Sequence, residues 1–220
     1  MTLKEKICLV TGGTEGIGLA VTQRLLELGA KVMIGNRNEK RGEDAIASLK
    51  SSDPSFEAHI GFKRTDISSM DDNRALVDAT TEKFGGLDVV VANAGFSCSP
   101  FLAEIEKGSC VVGNVTLRGA LTLDPTHFVS DEGFIHGIQG NLVGTMVLCR
   151  AALTYWSKAS QPGSIVITSS VAGYYPSKGH PCLSYAVCKA AQSMSIVVFY
   201  ISRIHLLTNN LKRCTDQFGE

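Results

Sequence analysis

In the stretch "SYAVCKAA" (184–191) a tyrosine and a lysine, Tyr185 and Lys189, stand four positions apart. On a helix that spacing puts both on one face, one turn apart. A phenol beside an ammonium can give up and take back a proton, because a nearby cation favours the phenolate. The same spacing also describes an ordinary surface pair, and "YYPSK" repeats it with Tyr174 and Lys178. Pro176 sits inside that second pair, where a helical turn is unfavourable. Tyr185 opens an uninterrupted helical pattern and is the stronger candidate.

A second cluster, "TGGTEGIG" (11–18), follows an apolar run and leads directly into a helical pattern. Gly12 can make the tight turn, Gly16 lets the backbone approach a phosphate, and Gly18 permits close packing of helix on strand. A pyrophosphate would then sit at the helix N-terminus, where free N–H groups and the helix dipole favour an anion. The spacing is G-x-x-x-G-x-G, and a glycine cluster alone can be a simple turn. Its place between strand and helix favours nucleotide binding. After the second strand comes "GNRN" (35–38), with Asn36 and Arg37 and no carboxylate before Glu39. A guanidinium there suits a 2′-phosphate, so NADP is expected over NAD. Glu15 argues the other way by repelling that phosphate, and Arg37 as a solvated loop charge is the bland alternative.

The elements that must hold these residues alternate. Strands are expected at 6–10, 31–35, 57–65, 87–93 and 163–170, as short apolar runs bounded by turn residues. Helices are expected at 17–28, 39–50, 69–84, 133–156 and 182–203, from apolar residues at helical spacing and stops such as Gly29 and Gly85-Gly86. This order predicts an α/β fold: a doubly wound, mostly parallel sheet, Rossmann-like, with helices on both faces. The 220 residues suit a single dinucleotide-binding domain. Residues 96–130 break the rhythm as an inserted loop or hairpin around "CVVGNVTLRGALTL" (110–123).

Composition narrows the function. Lys plus Arg equals Asp plus Glu, at 21 each, so nothing points to nucleic acid or an anionic membrane as partner. The seven cysteines form no C-x-x-C, and the five histidines fall at no metal-ligand spacing, so no metal is expected. Reduced core cysteines and the lack of a signal peptide or a bilayer-length apolar run predict a cytoplasmic protein. No G-x-S-x-G elbow is present, which disfavours a serine hydrolase.

Together these residues resemble the short-chain dehydrogenase/reductase family. The matches are 11–18, Thr65-Asp66-Ile67, Asn93-Ala94-Gly95, Asn141, "ITSSVAG" (167–173) and Tyr185-x-x-x-Lys189, in the family's order over residues 1 to about 203. The resemblance implies an NADP-binding site, with NAD as the alternative, that includes Thr11, Gly12, Gly16, Ile17, Gly18, Asn36 and Arg37. It implies Asp66 and Ile67 at the adenine, and Asn93, Ala94 and Gly95 at the floor. The implied catalytic group is Asn141, Ser170, Tyr185 and Lys189, with Ser169 as the fallback serine. Tyr185 would be the general acid/base and Lys189 would also hold the nicotinamide ribose. Ser170 would polarise the substrate oxygen, and Asn141 would help order a relay water. A free phenol titrates near 10, so working at neutral pH needs roughly 4 kcal/mol of preferential phenolate stabilisation.

The expected activity is hydride transfer between NADP(H) and a small carbonyl or alcohol, by a homodimer or homotetramer. Two regions depart from the family pattern. The family's C-terminal strands are expected to be missing, with 204–220 read as an atypical tail. The segment 96–130 reads as a specificity element or a retained coding segment. The alternative is therefore a catalytically impaired isoform that only binds a nucleotide or a subunit.

Overall fold

The apolar runs become strands wherever both faces can be covered. In the computed structural model, which describes residues 2–96, 131–174 and 184–195, the strands are β1 (Ile7–Thr11), β2 (Lys31–Asn36), β3 (Ile60–Arg64), β4 (Val89–Ala92) and β5 (Ser164–Ile167). They form one sheet in the order β3-β2-β1-β4-β5, and every pairing is parallel. The order reverses between β1 and β4, a switch point whose crevice lies beyond the strands' carboxyl ends.

The strand period of two separates the core into two layers. Leu9, Met33, Val90 and Ala92 face one side. There they meet Leu76 and Val77 of α3 (Met70–Phe84) and Leu148, Ala152 and Trp156 of the helix Thr145–Lys158. Cys8, Val10, Val32, Ile34 and Val91 face the other side. They pack on Leu26 of α1 (Gly16–Glu27) and Leu49 of α2 (Glu39–Ser52). The expected doubly wound sheet is therefore present, covered on both faces.

Local chemistry fixes the helix ends. Asn38 caps α2 by accepting from the Arg41 N–H, and Ser69 caps α3 by accepting from Asp72. Gly85 ends α3 in the left-handed conformation, at φ 84°.

Three expected elements differ in extent. The run 57–65 begins in a 3-10 turn, Pro54–Ala58, because Pro54 starts that turn and Asp53 caps it from Ser55 N–H; the strand begins only at Ile60. The helical pattern 133–156 is α4 (Asp131–Ile138), then a π-helical turn Gln139–Gly144, then α5 (Thr145–Lys158). The fifth strand stops at Ile167, and Ser170 instead caps a 3-10 turn, Val171–Gly173. The last described helix, α6, covers 184–195. Lys178, the segment 97–130, and residues 196–220 with the expected tail and missing strands lie outside the described residues.

Candidate active site

The glycine-turn end of the site is built from backbone. Gly12 and Gly16 adopt positive φ, 66° and 51°, a region costly for other residues. A Cβ on Gly18 would overlap the Gly12 carbonyl oxygen, so helix α1 approaches β1 more closely than any other residue allows. No side chain caps α1, which leaves its first-turn N–H donors and the positive end of its dipole uncovered. Thr11 is buried, and its Oγ1 accepts from the Asn93 and Ala94 N–H groups at 3.1 Å each. The Asn93 amide donates back to the Thr11 carbonyl at 3.2 Å. These bonds tie the ends of β1 and β4 together across the switch point. The turn and the open helix end fit a dinucleotide pyrophosphate.

At the end of β2, the Asn36 amide donates to Thr14 Oγ1 at 2.5 Å and accepts from Asn38 N–H at 2.9 Å. Arg37 lines the cleft beside it. So does Arg41, whose guanidinium bonds both oxygens of Glu15 at 2.8 and 3.0 Å. The repulsion expected from Glu15 is thereby offset by a cation that the sequence reading had not singled out. Asp66 accepts from Ser68 N–H and Oγ. Burial disfavours its charge, but the Ser68 bonds and nearby Arg37 outweigh that and hold the carboxyl below its ordinary range. The Ile67 carbonyl accepts from the buried Asn73 amide at 3.0 Å, which fixes the loop after β3.

The other end is assembled from distant segments. Lys189 is buried, and its Nζ donates to the Thr168 carbonyl at 2.6 Å and to Gln192 Oε1 at 2.9 Å. The same Nζ lies 5.4 Å from the Tyr185 ring centroid. Burial lowers the Lys189 pKa, partly offset by the Cys188 thiol. Ser169 and Ser170 both line the cleft; Ser169 also bonds the Lys189 carbonyl and Ser193 Oγ of α6, while among the described residues Ser170 accepts from Ala172 N–H. Among the described residues the Ser170 hydroxyl has no acceptor, whereas the Ser169 hydroxyl is engaged by α6.

Asn141 is fully buried in the π-helical turn. Its side-chain oxygen accepts from Phe96 N–H, and its amide donates to the Phe96 and Gly137 carbonyls. Its backbone carbonyl accepts from Thr145 Oγ1 and from Gln192 Nε2. A Cβ on Gly95 would stand 3.0 Å from Asn141 Oδ1 and 3.5 Å from Lys189 Nζ, so the strand end presses directly on both.

One cleft of about 640 Å³ joins the two ends. Gly12, Ile17, Gly18, Asn36, Arg37, Asp66 and Ile67 are among the residues lining one part of it; Asn93, Ala94, Gly95, both Ser169 and Ser170, Tyr185 and Lys189 are among those lining the other. Thr11, Gly16 and Asn141 are absent from the lining, and Thr11 and Asn141 support it from behind. Thr14, Arg41 and Gln192 escaped the sequence reading. Only Gln192 left a signal, three positions from Lys189 on the same helical face. A depression of about 340 Å³ between α3 and α5, lined by Arg74, Arg150 and Tyr155, contains none of these residues. Among the described residues no His, Cys, Asp or Glu cluster could hold a metal ion, and no helix is long and apolar enough to cross a membrane.

Comparison with known proteins points the same way. A family model described as short chain dehydrogenase matches residues 6–197. The 3beta-hydroxysteroid dehydrogenase of Mediterraneibacter gnavus is 34% identical over 193 residues, covering 86% of this chain and 57% of that protein. Dehydrogenase/reductase SDR family member 4 of Caenorhabditis elegans is 44% identical over 92 residues, 42% of this chain and 34% of its own. This chain thus spans between a third and three fifths of these relatives' lengths. Among solved structures, a short chain dehydrogenase from Mycobacterium smegmatis superposes with a TM-score of 0.68 at 29% identity, covering 86% of this chain and 67% of that one. Levodione reductase superposes with a TM-score of 0.68 at 24% identity, covering 86% and 62%, a likeness of fold.

Proposed function

The chain belongs to the short-chain dehydrogenase family, and from that premise we propose that it is an oxidoreductase acting with NADP(H) on a small carbonyl or alcohol. One observation carries the reading. A single cleft holds a phosphate-fitting glycine turn at one end and a Tyr–Lys–Ser group at the other. A bound nicotinamide cofactor would supply or accept the hydride.

The chain's own residues do the rest. Gly12 and Gly18 leave room for the pyrophosphate, and the uncapped end of α1 offers it N–H donors. Asn93, Ala94 and Gly95 form the floor. Arg37 provides the charge for a 2′-phosphate, and Arg41 offsets Glu15, so NADP is favoured over NAD. Ser170 donates its hydroxyl hydrogen to the substrate oxygen. Tyr185 passes a proton to that oxygen in reduction and takes it back in oxidation. Lys189 stabilises the phenolate that results and, directed into the floor of the cleft, binds the ribose hydroxyls. Asn141 holds the π-helical turn against Phe96 and so sets where Lys189 stands.

A second copy of the chain would cover Leu153 on α5 and Val187 and Met194 on α6, exposed apolar side chains that suit a homodimer or homotetramer. A cytoplasmic site of action agrees with the buried free thiols, Cys8, Cys149 and Cys188.

The test is a screen of aldehydes and ketones for NADPH consumption, repeated with Tyr185→Phe. Turnover that falls by about 10³-fold in the variant, with NADP⁺ binding unchanged, supports the reading. Turnover that persists in Tyr185→Phe overturns the assignment of the proton donor.

A further inference from the structure

Lys189 is a buried ammonium with no carboxylate partner among the described residues. Burial alone pushes such a group toward its neutral form. Beside the Thr168 carbonyl, its acceptor is a side chain that the proposed chemistry does not use. Gln192 is 1% exposed. Its Oε1 accepts from Lys189 Nζ at 2.9 Å, and its Nε2 donates to the Asn141 carbonyl at 2.5 Å and, more weakly, to Thr145 Oγ1 at 3.3 Å.

The amide has only one workable orientation. An ammonium can only donate and a carbonyl can only accept, so Oε1 must face Lys189 and Nε2 must face Asn141. The Asn141 carbonyl also accepts from Thr145 Oγ1 at 2.9 Å. Both amide atoms of Gln192 are thereby paired.

We infer that Gln192 is a positioning residue that holds the Lys189 ammonium beside Tyr185 and couples it directly to Asn141 in the π-helical turn. The consequence for catalysis rests on the oxidoreductase reading, while the coupling itself does not. Any other side chain breaks one of the two contacts. Methionine leaves the ammonium with Thr168 alone and leaves the Asn141 carbonyl with one donor fewer. Glutamate keeps the contact to Lys189 and sets a carboxylate oxygen against the Asn141 carbonyl.

Few groups complicate the titration of Lys189. Tyr185 and Cys188 face it from its own helix. Thr168 and Ser169 after β5, Asn141 in the π-helical turn and Gly95 after β4 present only neutral groups.

The experiment follows the Lys189 ammonium by ¹⁵N-edited NMR of the full chain labelled at lysine, with the signal assigned from Lys189→Arg. In Gln192→Met the Lys189 midpoint should fall by about one pH unit, because the charged form loses an acceptor. In Gln192→Glu it should rise by about as much, because an opposite charge takes the amide's place. Lower melting temperatures in both variants with an unmoved midpoint would mean that Gln192 merely fills space, and would overturn the inference. If Gln192→Met does not fold, the sign in Gln192→Glu decides alone: a rise supports the inference, and a fall or no change overturns it. The melting shift with NADP⁺ is recorded on the unmodified chain in parallel. Its absence removes the oxidoreductase reading, while the titration still decides the role of Gln192.

Discussion

The two ends of the cleft are assembled on different principles. The phosphate end comes from one contiguous stretch, Thr11 to Gly18, and its geometry is set by backbone conformation at Gly12 and Gly16 and by close approach at Gly18. The proposed proton-transfer end gathers Asn141, Ser170, Tyr185, Lys189 and Gln192 from three separated segments and is held by side-chain hydrogen bonds. The first end should therefore fail when space is filled and the second when a hydrogen-bonding partner is removed.

Substitutions can break that contrast, and the proton-transfer end carries the largest expected effect. Lys189→Met removes the cation beside Tyr185 and the donor to Thr168 and Gln192. Carbonyl reduction measured at saturating NADPH should fall by roughly 10²- to 10³-fold. A loss below tenfold would show that the cation is dispensable there.

At the phosphate end, Gly18→Ala forces a Cβ onto the Gly12 carbonyl. Affinity for NADP⁺ and NAD⁺ alike should drop by about tenfold to a hundredfold by calorimetry, since such overpacking costs about 1–3 kcal/mol. Arg37→Gln should be more selective. It removes a charged donor, so affinity for NADP⁺ falls by about tenfold while that for NAD⁺ stays nearly constant.

The smallest effect lies in the shared core. Burial pushes the Cys8 and Cys149 thiols up to about 12 from an ordinary 9.0. Both stay protonated in the folded chain after an unfolded thiol would ionise. Their contribution to stability is therefore full below pH 9 and declines as the pH rises from 9 toward 12. Melting temperatures should fall less steeply across that window in Cys8→Ala/Cys149→Ala than in the unmodified chain.

The same contrast explains what the sequence made legible. β1, β2 and β4 are nearly continuous apolar runs because both faces are covered, and each run announces itself. The glycine turn is equally local. The π-helical turn is not, because Gln139–Gly144 keeps a helical pattern on both sides and the extra residue leaves no period of its own. Asn141 could be placed in a helix, but its grip on Phe96 depends on a strand end 45 positions away. Pro54 begins a 3-10 turn that swallowed the start of the expected third strand. Likewise Ser169 and Ser170 are adjacent and chemically identical. Only the packing of α6, which draws Ser169 toward Ser193 and the Lys189 carbonyl, distinguishes their surroundings.

The account stands on one claim, that both ends belong to a single cofactor site. The most direct measurement is the melting temperature of the 220-residue chain with NADP⁺, with NAD⁺ and with neither. A ligand at about 100 times its dissociation constant adds roughly 2.7 kcal/mol, which is about 5–10 °C for a chain of this size. The account predicts a rise with both cofactors at millimolar concentration, larger with NADP⁺. A cooperative transition unmoved by either would contradict it.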